Sequence, residues 1–278
     1  MKFHRSQLVG SVMAVALVVG SIQLFSAVTP VAAQDALYKT CEELKLTAPL
    51  SAQPAEAATA EATAAADAPT TEAATAASPA AAEDIAFLSI VGSDSEACYL
   101  ASEKFLDNNM MQIPAGFNGA VGVTKTIAGD IALDRTNVAN SQIGDITINI
   151  SEFKSDNDRR DGFIRQRFLE SNKYPFATLT NAVATGLPTG AYVDGTELKF
   201  QITGTLKVHD TERVTTFDAT GSFTNGTLVV TATTDLKMSE FGITVPDIAG
   251  LLTVDDDMRL VVNLVARAAA EATPTPTA

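Results

Sequence analysis

Between Leu198 and Met238 the chain repeats every two residues, and few folds accept such a pattern. Leu198, Phe200, Ile202, Leu206 and Val208 fall on one side, with Lys199, Gln201, Thr203, Thr205 and Lys207 on the other. That period belongs to an antiparallel strand with one face in a core and one in water. After a tight turn at His209-Asp210, Phe217, Ala219, Gly221 and Phe223 alternate with polar residues. Asn225-Gly226 then supplies two residues that tolerate positive φ, as a type I′ hairpin requires. Leu228, Val230, Ala232, Leu236 and Met238 continue the apolar face.

Similar runs cover Phe87–Val91, Ala97–Leu106, Ala120–Val123 with Thr126–Leu133, Ile143–Ser151, Tyr174–Val183 and Met258–Ala266. About eight strands in a meander are expected to close, because closure removes exposed edges. The fold class expected is therefore all-β: an eight-stranded antiparallel barrel, whose interior either is filled by side chains or holds one ligand. Gly204, Ala219, Gly221 and Ala232 are small residues on inward phases and favour a hollow. Within the stretch Asp158–Leu179 one short, charged main helix interrupts the pattern, with Ile164 and Phe168 on one side at i, i+4, and the Tyr174-Pro175 step is expected to halt it and start the next strand. Its position between two strands places it across one end of the barrel.

The rest of the chain reads differently. Residues 1–33 begin with Lys2 and Arg5, are apolar from Leu8 to Val28, lack acidic residues and end in Val31-Ala32-Ala33, as an export signal does. An uncleaved membrane anchor is the alternative. Residues 34–50 form a short segment containing Cys41. Residues 51–83 hold no aromatic or branched aliphatic residue and are expected to be a disordered linker. The folded domain is expected over 84–268, and 269–278 is a second low-complexity tail. In an oxidising compartment Cys41 is expected to pair with Cys98 in the barrel, pinning the short segment; two unrelated thiols are the alternative.

Five stretches in this order carry a family resemblance: Gly122-Val123-Thr124 through Ile127–Ile131, Asp158–Asp161, Glu170–Thr178, Gly204–His209 and Met238–Ile243. Over about 97–266 the chain resembles the YceI-like family. The resemblance implies an exported, lipocalin-like barrel that binds polyisoprenoids or other long amphipathic lipids. Asp210 stands where the family has a hairpin glycine, and Glu240 where it has aspartate before Phe-Gly.

Removing the signal leaves 17 basic against 33 acidic residues, a charge of −16 from the −14 of the whole chain. This disfavours nucleic acid as a partner, since phosphate binding needs a clustered positive surface. It also disfavours electrostatic adhesion to anionic lipid, so membrane attachment is expected only through an uncleaved N-terminal segment. Catalysis finds few candidates. The histidines are His4, in the signal, and His209, expected as an exposed turn residue; Ser151 and Ser171 have no activating partner. Asp255-Asp256-Asp257 lacks the glycine-bearing spacing of a calcium loop and is expected as a solvated turn. No cofactor, metal or enzymatic activity is expected. Arg159, Arg160, Arg165 and Arg167 form the densest basic cluster, suited to a polar head group at the barrel mouth. Neutralisation by Asp158, Glu170 and an Asp161 to Arg165 pair is the competing expectation.

The expected ligand contacts are Phe105, Val123, Ile131, Ile148, Phe168, Tyr174, Phe176, Phe200, Ile202, Phe217, Phe223, Met238 and Phe241, with Arg160 and Arg165 at the polar end. The expected function is sequestration or transport of a long-chain isoprenoid or fatty lipid. The alternative is a stalked display or interaction module with a filled barrel, and the interior decides between them.

Overall fold

Each apolar run of the sequence becomes a strand, and the strands pair in chain order until the last meets the first. The structure, a computed structural model, describes residues 40–46, 49–50, 84–106, 116–248 and 251–268. The expected signal, the 51–83 linker and the 269–278 tail lie outside the described residues. The strand segments are β1 (Ile85–Ile90), β2 (Glu96–Phe105), β3 (Gly116–Thr124), β4 (Ile127–Ala128), β5 (Asp130–Asp134), β6 (Gln142–Ile143) and β7 (Ile146–Asn149). They continue with β8 (Phe176–Thr185), β9 (Leu198–Val208), β10 (Thr211–Thr224), β11 (Thr227–Lys237), β12 (Asp247–Ile248) and β13 (Leu252–Ala268).

These segments fuse into eight runs of chain. β1 and β2 form one run, interrupted at Gly92–Asp94, and pair along their length with β3 and β5. The run β3 to β5 turns through Gly129 and pairs on its far side with β7 and β6. From there β7 pairs β8, β8 pairs β9, β9 pairs β10, β10 pairs β11 and β11 pairs β13. β13 returns to β2 and β1. Every pairing is antiparallel, and the β4–β7 and β5–β6 ladders join the two ends of the path into an eight-run barrel. The seam is made of these two short ladders, Ile127 with Ile148 and Ala128 with Thr147 in one, and Ile131 with Ile143 and Ala132 with Gln142 in the other.

Asn225 and Gly226 both take positive φ, 51° and 77°, as the hairpin signal required. At the other hairpin the left-handed residue is His209, φ 60°, so the substituted Asp210 is not the residue that bears the left-handed geometry. β8 bulges between Thr180 and Val183, where Asn181 has φ 52°. Opposite the bulge, a Cβ on Gly204 would lie 2.9 Å from Leu179 Cδ1 and 3.0 Å from the Thr180 carbonyl. Gly204 thus accommodates a close strand rather than widening the interior. Gly221 also sits close to a neighbour, where an added Cβ would meet Val229 O and Val230 Cγ2 at 3.1 Å, yet it does leave interior room, since it lines a small chamber of about 70 Å³.

β13 begins earlier than expected, at Leu252, and carries the three aspartates inside it. Its register with β2 shifts between Val254 and Met258, Asp257 pairs with Lys237 at 2.6 Å, and Asp256 accepts from the Ser239 amide at 2.8 Å. The acidic run is therefore a braced bulge and not a solvated turn.

β2 is buried on both faces. Ala97, Tyr99 and Ala101 look into the barrel, while Cys98 and Leu100 look outward into a separate apolar cluster with Cys41, Leu44, Leu46 and Val261. The Cys41–Cys98 disulfide is present, with Cα atoms 6.0 Å apart. It holds residues 40–46 against the outside of the wall. There the Cys41 amide donates to Glu96 at 2.6 Å and the Leu50 amide to Ser102 Oγ at 3.0 Å. A Cβ on Gly119 would lie 2.8 Å from Leu46 Cβ, so the strap can approach β3 this closely only over glycine.

Candidate functional site

The helix sits where the sequence placed it, over the end of the barrel that also carries the His209 turn and the Met238–Phe241 turn. Asn157 caps it by accepting from the amides of Arg159 and Arg160. The α-helical part, α1, is short, Asp158–Phe163, and continues as a π-helical turn, Ile164–Phe168. It stops at Glu170, which takes φ 43°, well before Tyr174-Pro175. Ile164 and Phe168 both face the barrel interior, as their spacing implied.

Beneath the helix lies a cavity of about 560 Å³. Among the expected contacts, Phe105, Ile148, Phe168, Ile202, Phe217, Met238, Phe241 and Arg160 line it. The expectation of small residues holds for Ala232, joined by Ala97, Ala101, Ala120 and Ala177. The walls are apolar down their length, and the charged lining groups, Glu103, Arg159 and Arg160, lie at the helix end with Asn157. An apolar shaft with a polar rim can take a long hydrocarbon and leave its polar end in water.

The other expected contacts lie elsewhere. Val123 is on the outer phase of β3, against the disulfide cluster, because Ala120 and Gly122 take the inner one. Phe176 is half exposed for the same reason: Ala177 and Leu179 point inward. Tyr174 packs on His209, ring centroids 4.2 Å apart. His209 is not an exposed turn residue; its side chain is mostly covered and its Nε2 lies 2.8 Å from Glu170 Oε2, tying the β9–β10 turn to the end of the helix. Ile131, Phe200 and Phe223 surround a smaller chamber of about 70 Å³ toward the opposite end, closed by Tyr192, whose hydroxyl receives the Phe223 amide at 2.8 Å.

The arginines divide. Arg165 does not pair with Asp161; it donates to the Phe153 carbonyl at 3.1 Å, while buried Asp161 accepts from the Ser155 amide and hydroxyl. Arg167 lies over the Phe163 ring at 5.4 Å. Arg160 grips Glu103 with two bonds, Nε to Oε1 at 2.9 Å and Nη2 to Oε2 at 3.1 Å, and Asp156 with a third at 2.5 Å. Asn118 donates to the same Glu103 at 2.7 Å. A paired charge is the form in which burial beside an apolar cavity is tolerable. Arg159 is exposed at the rim.

Tyr99, which sequence reasoning passed over, forms part of the wall. Its ring meets Phe153 edge-on at 5.2 Å and occupies the space where a Cβ on Gly122 would stand, 2.1 Å from Tyr99 Cε1. Burial pushes its phenol well above its ordinary pKa, the nearby Arg160 guanidinium opposing. Tyr99 and Glu103 were accessible from Phe105 by counting back two residues at a time.

The YceI-like domain family model matches residues 104–266. The chain belongs to the YceI-like family. The matched span runs from the end of β2 into β13 and so includes the helix and the cavity walls other than the inward-facing β2 residues Ala97, Tyr99, Ala101 and Glu103. Among solved structures, the chain is similar to BcnA of Burkholderia cenocepacia, at 16% identity over 63% of this chain and 98% of that one, TM-score 0.46. It is similar to a polyisoprenoid binding domain from Saccharophagus degradans implicated in plant cell wall breakdown, at 14% identity over 66% and 98%, TM-score 0.48. It is also similar to the YCEI protein of Campylobacter jejuni, at 22% identity over 52% and 83%, TM-score 0.42. No curated protein matches it.

Proposed function

We propose that this chain is an exported, non-enzymatic binding protein that carries or sequesters a polyisoprenoid or another long-chain amphipathic lipid inside its barrel. The observation that carries this reading is the cavity of about 560 Å³, apolar along its walls, whose charged lining groups among the described residues lie at the helix end. A filled barrel was the requirement of the display reading, and the interior is hollow. Each methylene moved from water into such a shaft contributes about 0.8 kcal/mol, so a long chain is held tightly without covalent chemistry. The eight cavity-lining residues named above are its contacts, with Arg159 and Arg160 near the polar end. Export is supported by the signal-like residues 1–33 and by a disulfide, which persists in oxidising compartments; the proposed location is secreted, periplasmic or at the cell surface. The Saccharophagus relative is described as polyisoprenoid binding, and the occupant proposed here is of that class on the strength of the cavity.

The test is native mass spectrometry of the protein purified from its own host, followed by organic extraction. The reading expects one lipid mass per chain, an apolar chain with a polar end. Protein that emerges empty and takes up no long-chain alcohol on addition would refute it.

A further inference from the structure

Among the described residues two neighbouring chambers lie inside the barrel, and a thin floor separates them. Ile146, Ile202 and Leu264 line both the cavity of about 560 Å³ and the chamber of about 70 Å³ beyond it. All three are buried, with exposures of 4–6%. They come from β7, β9 and β13, so three separate runs of the wall meet there. Below them Tyr192 and Phe223, in edge contact at 6.3 Å, close the far end.

We infer that Ile146, Ile202 and Leu264 form a ruler that sets how much of a lipid chain the barrel accepts. The inference rests on the carrier reading and adds to it a limit on chain length. An apolar cavity of about 150 Å³ holds a six-carbon ring, or about 25 Å³ per carbon. On that scale the main cavity of about 560 Å³ takes about 22 carbons, between four and five isoprene units. Carbons beyond that number remain outside the apolar shaft, near the helix, and contribute no further burial. Affinity therefore rises by roughly fourfold per methylene placed inside and then levels off.

The floor makes the limit adjustable in both directions. Leu264→Ala removes three side-chain carbons and opens the chamber of about 70 Å³, which together admit about six more carbons. Ala232 lines the main cavity two residues along β11 from Val230, the residue that pairs with Leu264. Ala232→Leu fills space in the main cavity next to the floor and shortens the accepted chain by about three carbons.

The experiment is competition binding to delipidated protein by a ladder of polyprenyl alcohols from farnesol upward, for the wild type and both variants. The expected result is a wild-type affinity that levels off near geranylgeraniol. For Leu264→Ala the plateau moves to longer chains, and for Ala232→Leu it moves to shorter ones. Since Leu264→Ala removes core volume and can fail to fold, Ala232→Leu alone is sufficient to decide. Affinity that climbs past geranylgeraniol without levelling, or plateaus that stay put in the folded variants, overturns the ruler while leaving the carrier reading intact. No binding of any alcohol to the wild type overturns both.

Discussion

Replacing Cys41 and Cys98 together by serine is expected to weaken the domain far more than two surface changes would. The disulfide joins residues 57 apart in sequence. In the chain-entropy account a loop of that size closed in the unfolded state is worth about 4 kcal/mol, between the values for short and for hundred-residue loops. For a domain of 150 to 250 residues each kcal/mol corresponds to about 2–4 °C in melting temperature, so the expected fall is about 8–16 °C. Because the strap covers Leu100 and Val261 and supplies the Cys41 amide to Glu96, its loosening also exposes the outer face of β2. Amide exchange on that strand should accelerate before the rest of the barrel opens. The assay is thermal unfolding followed by far-ultraviolet circular dichroism, suited to a protein with no tryptophan, for the oxidised wild type and the double variant. A drop of less than about 3 °C with unchanged exchange on β2 would refute the view that the strap is held by this bond.

Arg160→Met should cost about 3–5 kcal/mol in urea unfolding, because it leaves Glu103, with a side chain only 7% exposed, without its guanidinium partner. Adding Glu103→Leu to that variant should restore most of the loss, and a double variant as weak as the single would contradict the pairing argument. Gly122→Val should destabilise by about 1–3 kcal/mol and reduce lipid uptake, since the new side chain displaces the Tyr99 ring; unchanged stability would place the ring elsewhere. Tyr99 also sets an alkaline limit. Its phenol ionises at about 10 in the unfolded chain and higher when buried. Above about pH 10 the unfolded state has lost a proton that the native state keeps, so this contribution is complete below pH 10 and falls by about 1.4 kcal/mol per unit above it. Tyr99→Phe should flatten that decline relative to wild type in urea midpoints measured across the alkaline range.

The strands from Leu198 to Met238 were legible because each has one wet face, which makes the two-residue period visible. β2 was harder to read inward, since the strap buries its outer face and its sequence no longer alternates. That double burial is why Tyr99 and Glu103 were passed over although Phe105 was found. The misplaced aromatics have a common cause: residue type suggested the interior, but phase decides it. Phe176 follows Pro175 on the outward phase, and Tyr174 is taken up by His209. The end of the helix was misread because Pro175 is a stronger written signal than Glu170, whose left-handed backbone no sequence rule announces. Charge was misread similarly, Asp161 preferring nearby Ser155 to the arginine one turn on. The acidic run at 255–257 could be placed only once β11 supplied Lys237 and the following turn Ser239. The two chambers depend on which side chains from distant strands meet, and no local pattern records that.

A hollow that accepts an apolar chain is tested most directly by a crystal structure of delipidated protein soaked with a terminally brominated long-chain alcohol. The predicted result is an anomalous bromine peak inside the barrel, between Phe217, Ala232 and the Ile202 floor, with the hydroxyl toward Arg159. Bromine found only on the outer surface, or an interior with side chains closed across the axis, would contradict it.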